Sequence, residues 1–291
     1  MTTLPDSITP IGNLDRVRLL LVAGLCYAAF QGLRNVVQIP SVTGISGSVF
    51  QDGAIGAFVL VALLFVSLTF IATQLARGFR ADAGLFCATF GLLAIPLHGG
   101  DVRNVLLTAG GTSQVYWLLA AEMICLGLLV MAGYWVVLKF NALKTTPTTS
   151  AASVVVDTFR DRALTILMQA AAMIGILSII GQSPAKGQAL IGCGAAALLA
   201  SLLVHQIQRV QGSIYYIVGA LLGAVIAYVV TAFSTVGADV ADPRGYLAAA
   251  ARSLPLHYAT LGVAGSIYGY WVSVIWANST ETETEAAPAS V

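Results

Sequence analysis

Residues 54–76 read AIGAFVLVALLFVSLTFIATQLA, a stretch without a single ionisable side chain. About 20 mainly apolar residues in a helix cross the ~30 Å hydrocarbon core of a bilayer. This segment is therefore long enough to span a membrane, and its neighbours share its character. Of the 291 residues, 58% are hydrophobic and only 9% are charged. A soluble domain carries about 25% charged residues. The shortfall follows if most of the chain lies in lipid, where a charge at the bilayer centre costs at least ~2.5 kcal/mol. The formal net charge of +1 leaves no electrostatic footprint for nucleic acid.

The fold class expected is an all-α integral membrane protein with about eight transmembrane helices. The spans are 17–37, 54–76, 83–99, 115–138, 163–182, 187–206, 213–235 and 254–276. The third is short and contains Pro96, and the first carries Arg34 and Asn35 near its end. Basic residues give the orientation, because Lys and Arg concentrate in cytoplasmic segments. With the N-terminus inside, the inner segments hold Arg16, Arg18, Arg77, Arg80, Lys139, Lys144, Arg160, Arg162 and Arg209. The outer ones hold Arg34, Arg103, Lys186, Arg244 and Arg252. Both termini are then cytoplasmic, and the host is a plasma or inner membrane. The start RVRLLLVA also fits a secretory signal, but the repeat described next uses that segment as a span.

The sequence GYWV occurs at Gly133–Val136 and again at Gly269–Val272. Each copy lies near the inner end of the last span of a four-helix block. Asp101-Val102-Arg103 precedes the fourth span and Asp242-Pro243-Arg244 precedes the eighth. Asp15-Arg16 and Asp161-Arg162 likewise precede spans one and five. The organisation expected is two tandem four-helix halves, 1–140 and 157–277, joined by a polar cytoplasmic linker, 141–156. The acidic tail, 278–291, has a low-complexity composition that favours disorder. An even number of spans gives both halves one orientation, as in parallel-repeat transporters.

Tyr and Trp also collect at membrane interfaces, which makes Trp117, Trp135, Tyr258, Trp271 and Trp276 candidate anchors. Gly219 with Gly223, and Gly265 with Gly269, are spaced four apart on one helix face and should let helix backbones approach.

Glu122 is the only glutamate outside the tail, and it falls inside the fourth span. Such a group usually faces the bundle interior, water or a partner. It is a candidate proton or cation relay, or the partner of an outer arginine such as Arg103. In the GYWV register its counterpart is Tyr258. Asp101, Arg103, Asp242 and Arg244 are candidates for a charged outer vestibule, with local ion pairing as the plainer reading. Gln31 and Arg34 form a polar cluster at the outer end of span one and are further pathway candidates. The outer segment 38–53 is long enough to act as a gate or a partner-binding loop.

No phosphate-cradling glycine loop, HExxH or GxSxG is present. The three histidines and four cysteines show no metal-ligand spacing, and no cofactor is expected. His98 and His257 both fall on the outer side. Three readings follow. One is a transporter or channel for a small solute or ion, with its path between the halves. Another is a non-catalytic membrane subunit or scaffold that meets a membrane protein partner or forms a homo-oligomer. The third is a membrane-embedded enzyme acting on lipid or quinone.

Overall fold

The computed structural model describes residues 13–37, 40–41, 44–45, 48, 55–76, 79–100, 105, 113–142, 158–182, 185–234 and 249–286. Among them run α1 (Asn13–Val37), α2 (Ile55–Leu75), α3 (Ala83–Leu92), α4 (Ala94–His98), α5 (Gln114–Ala142), α6 (Phe159–Ile180), α7 (Lys186–Ile207) and α8 (Ile214–Ser234). A 3₁₀ turn at Ala249–Arg252 leads into α9 (Pro255–His257), a π-helical turn at Tyr258–Gly262 and α10 (Val263–Ala286). Between α1 and α2, β1 (Pro40–Ser41) pairs antiparallel with β2 (Gly44–Ile45). Among the described residues, 6 helices are long and apolar enough to cross a membrane: α1, α2, α5, α6, α7 and α8. Length and composition therefore make this an α-helical membrane protein.

The surface agrees with that placement. Leu63, Ile124, Leu128, Ile191 and Phe233 are exposed on helix flanks, an arrangement that water would penalise and lipid does not. The interior is built from small residues, tyrosines and a few fully buried polar groups.

Local sequence explains the breaks. Pro96 cannot donate to the carbonyl four residues before it, and the helix bends at Leu93, separating α3 from α4. Pro255 opens α9, where a missing N–H costs nothing. Thr158 and Asp161 form a reciprocal capping box at the start of α6: the Asp161 N–H donates to Thr158 Oγ1 at 3.2 Å, and the Thr158 N–H to Asp161 Oδ2 at 3.0 Å.

One expectation is corrected at the C-terminus. The tail was expected to be disordered from residue 278, whereas α10 continues to Ala286. A helix already nucleated in the bundle adds residues at low cost, because propagation fixes one residue per hydrogen bond.

Within the N-terminal group, α1 packs on α2, α3 and α4, and α2 packs on α3 and α5. Within the C-terminal group, α6 packs on α7 and α8, while α10 packs closely on α7 and less extensively on α8. The groups meet where α5 lies on α8 and where α10 lies on α3.

Glycines permit the close contacts inside each group. A Cβ at Gly219 would stand 2.5 Å from the Cβ of Gln169, and one at Gly223 would stand 3.2 Å from the Ala170 carbonyl oxygen. At Gly265 and Gly269 it would collide with the carbonyl oxygens of Gly194 and Leu198. Gly91 meets Cys26 in the same way, with 2.7 Å to its carbonyl carbon. By contrast, a Cβ at Gly175 would meet nothing within 4 Å.

Gly265→Ala should therefore destabilise the protein by about 1–3 kcal/mol through overpacking of α10 on α7. Gly175→Ala should be neutral or stabilising by up to about 1 kcal/mol. Thermal melts of the two purified variants in one detergent check the difference; equal midpoints would contradict it.

Candidate functional site

Glu122 is fully buried on α5. Its neighbours Ala121 and Ile124 point outward, whereas Leu119, Met123 and Leu126 point inward with it. The carboxylate therefore faces the bundle and not lipid. Its Oε2 accepts a hydrogen bond from the hydroxyl of Ser48, which lies in the outer segment 38–53 and is itself buried.

The other wall is α8. Trp117 of α5 meets Phe233 of α8 edge-on at 5.2 Å between ring centroids. A Cβ at Gly127 of α5 would lie 3.8 Å from Leu221 of α8. Antiparallel helices touching at those two levels bring the Glu122 level opposite Tyr228, and Tyr228 lies within electrostatic reach of Glu122, Tyr116 and Tyr258. The Tyr228 and Tyr258 rings meet edge-on, 6.3 Å apart. Both phenols hold the 3₁₀ turn: Tyr258 Oη donates to the Ala250 carbonyl at 2.9 Å, and Tyr228 Oη donates to the Ser253 carbonyl. Tyr258 also opens the π-helical turn, a distortion frequent at functional sites.

His257 sits beside this turn, fully buried, with Nδ1 accepting from the Leu254 N–H at 3.2 Å and no partner on Nε2. Nearby outer cations are engaged with carbonyls. Lys186 donates to Leu97 and Gly99 at 2.9 and 3.1 Å, and Arg252 donates to Gly181 at 3.2 Å and to Gln182.

A second polar cluster lies at the other end of the bundle. Asp82 precedes α3 and does not cap it. Its Oδ1 instead accepts from Trp271 Nε1 of α10 at 2.8 Å, and Ser213, just before α8, lies beside its carboxylate. Ser213 also lies beside Tyr134 of α5. The Trp271 ring is enclosed by Phe79 at 5.7 Å, Phe86 at 5.2 Å and the Arg80 guanidinium at 5.5 Å. Tyr270 accepts from the Gly212 N–H at 3.0 Å. Both GYWV copies thus reach the start of a helix in the other group: Tyr134 toward α8, Trp271 toward α3.

Two of the candidate anchors are buried in the bundle: Tyr258 and Trp271 are 1% and 4% exposed. Their polar tips are bonded to Ala250 and Asp82. Trp117, Trp135 and Trp276 remain on the outside, with the Lys139 ammonium 4.9 Å above the Trp135 ring.

Of the other pathway candidates, Gln31 and Arg34 are half-buried on α1, and Gln31 Oε1 is buried without a hydrogen-bond partner. Asp101, Arg103, Asp242 and Arg244 lie outside the described residues. Among the described residues no group of three or more His, Cys, Asp or Glu could hold a metal ion. Sequence reading passed over Asp82 and Ser213. Their one available signal was position, since each is a typical N-cap residue immediately before a span. No family model matches the chain, and neither a curated protein nor a solved structure does.

Burial pushes the Asp82 carboxyl above the usual carboxylate range, with the Ser213 and Trp271 hydrogen bonds and Arg80 opposing it. A raised folded-state value means that the native protein holds a proton which the unfolded chain has released. The stabilisation is complete below the unfolded value of about 3.9 and is lost as pH rises through the folded value. Asp82→Asn removes this dependence. Wild type should therefore lose stability relative to Asp82→Asn as pH rises from about 4 toward neutrality. Melting temperatures of both proteins across that range test it, and parallel curves would contradict it.

Proposed function

We propose that the protein is a transporter for a small solute or ion, built from two tandem four-helix halves, with Glu122 as the proton- or cation-binding group on a path between them. The carrying observation is a fully buried carboxylate at the α5–α8 contact, covered by Ser48 from an outer loop. An acid in this setting is costly unless it changes charge or partner during function, and intramembrane acids mark ion pathways.

The repeat has support in the packing. Replacing α1, α2, α3 and α5 by α6, α7, α8 and α10 turns the α1–α3 contact into α6–α8, α1–α2 into α6–α7, and α2–α5 into α7–α10. The cross-contact α5–α8 becomes α10–α3. The α2–α3 contact has no counterpart of similar extent between α7 and α8. In this reading α3 with α4 forms the third span and α9 with α10 the eighth. Both halves share one orientation, the axis between them lies near the membrane normal, and both termini are cytoplasmic. The host is a plasma or inner membrane. In this reading Asp101, Arg103, Asp242 and Arg244 are candidates for a charged outer vestibule, with Gln31 and Arg34 as further pathway candidates.

The test is electrical. Wild type and Glu122→Gln are reconstituted in proteoliposomes and challenged, under an imposed proton gradient, with small ions, amino acids and sugars. At least one solute should drive a current in wild type that falls at least about tenfold in Glu122→Gln. Equal currents in the two proteins, or none in either across the panel, would count against transport. They would favour a membrane subunit that presents its loops to a protein partner.

A further inference from the structure

The tightest glycine approaches fall within the two helix groups. Gly91 of α3 against α1, Gly219 and Gly223 of α8 against α6, and Gly265 and Gly269 of α10 against α7 all bring backbone against backbone, or against the base of a side chain, within one group. Among the described residues, the one glycine approach across the boundary is Gly127 to the end of the Leu221 side chain at 3.8 Å. Close-packed backbones resist sliding, whereas side chains can change partners by rotating. The architecture is that of two stiff bodies with a re-formable seam.

At the inner end of that seam the contacts are polar and water can replace them. The Trp271 N–H donates to Asp82 across the bodies at 2.8 Å, with Ser213 and Tyr134 beside the carboxylate. The Trp271 indole fills the space between α10 and α3, with Phe79 and Phe86 against its faces. Its counterpart in the repeat, Trp135, is 59% exposed, so only one copy plugs the seam.

We propose that Trp271, held by Asp82, is the cytoplasmic gate of the seam between the two halves. The proposal rests on the transport reading above. In the conformer described the gate is shut. Opening it separates Trp271 from Asp82, and water then enters from the cytoplasmic side. The tryptophan N–H and the carboxylate lose one buried hydrogen bond and regain bonds to water, so the cost of opening is modest.

Ile267 provides the probe. It is fully buried on α10, one turn deeper than Trp271 and on the same face. Ile267→Cys is labelled with a membrane-impermeant maleimide added to the cytoplasmic face of inside-out vesicles, with the signal of the four native cysteines subtracted as a blank. Arg160→Cys, exposed at the inner end of α6, reports that this face is reachable and the protein inserted. Adding Trp271→Ala should raise the Ile267→Cys labelling rate at least about tenfold, and Trp271→Phe, which keeps a ring but loses the N–H, should raise it less, by a few fold. An unchanged rate in a correctly inserted variant would overturn the gate. Should Trp271→Ala fail to insert, Trp271→Phe decides alone, and no rise there overturns the proposal. The two readings fail separately: Glu122-dependent current with Trp271-independent labelling removes the gate and keeps transport, and the reverse result keeps an inner water gate and removes transport.

Discussion

Lipid gives an apolar helix no hydrophobic reason to leave it, so helices in a bilayer hold together where their backbones can come close. In this chain the closest approaches are made by glycines: Gly91 of α3 against α1, Gly223 of α8 against α6, Gly265 and Gly269 of α10 against α7. Each stays within one group of helices. That constraint shapes the rest. Buried polar residues lie both inside the groups, as Gln169 with Ser201 and His205 with Ser273 do, and at their boundary. Glu122, Tyr228 and Tyr258 occupy its outer part, and Asp82, Ser213 and Trp271 its inner part.

The two polar clusters differ in what burial does for them. Asp82 lies beside Arg80, a tryptophan N–H and a serine hydroxyl, just before a helix start. Glu122 lies within a membrane-length helix, held by the hydroxyl of Ser48, 74 residues before it. A carboxylate placed so deep, with a loop seated on it, suits a group whose charge and contacts change together. The π-helical turn at Tyr258–Gly262 begins at Tyr258, whose ring meets that of Tyr228 in the same region.

Much of this was legible in the sequence, for identifiable reasons. Hydrophobic length specified the helices, Pro96 specified the break after α3, and glycines four apart marked the faces that pack. Glu122 stood out because a lone acid in a span is rare. Other features were not legible. Tyr and Trp have one apolar body and one polar tip, so the same residue type suits an interface or a buried hydrogen bond. Trp135 took the first course and Trp271 the second within identical tetrapeptides. The Ser48–Glu122 contact depends on how an outer loop folds, which no periodicity records. Asp82 resembled an ordinary loop residue until its partners, 131 and 189 positions away, were brought to it.

The central claim is that two stiff bodies move against each other along the seam. Spin labels at Arg16 on α1 and Arg160 on α6 report across it, and labels at Arg160 and Ile207 report within the C-terminal group; all three sites are exposed at inner helix ends. Pulsed electron–electron distance measurements in lipid should give one narrow distance for Arg160–Ile207. The Arg16–Arg160 pair should give two populations whose ratio shifts in Glu122→Gln. A cross-seam distribution as narrow and as unresponsive as the internal one would contradict the account.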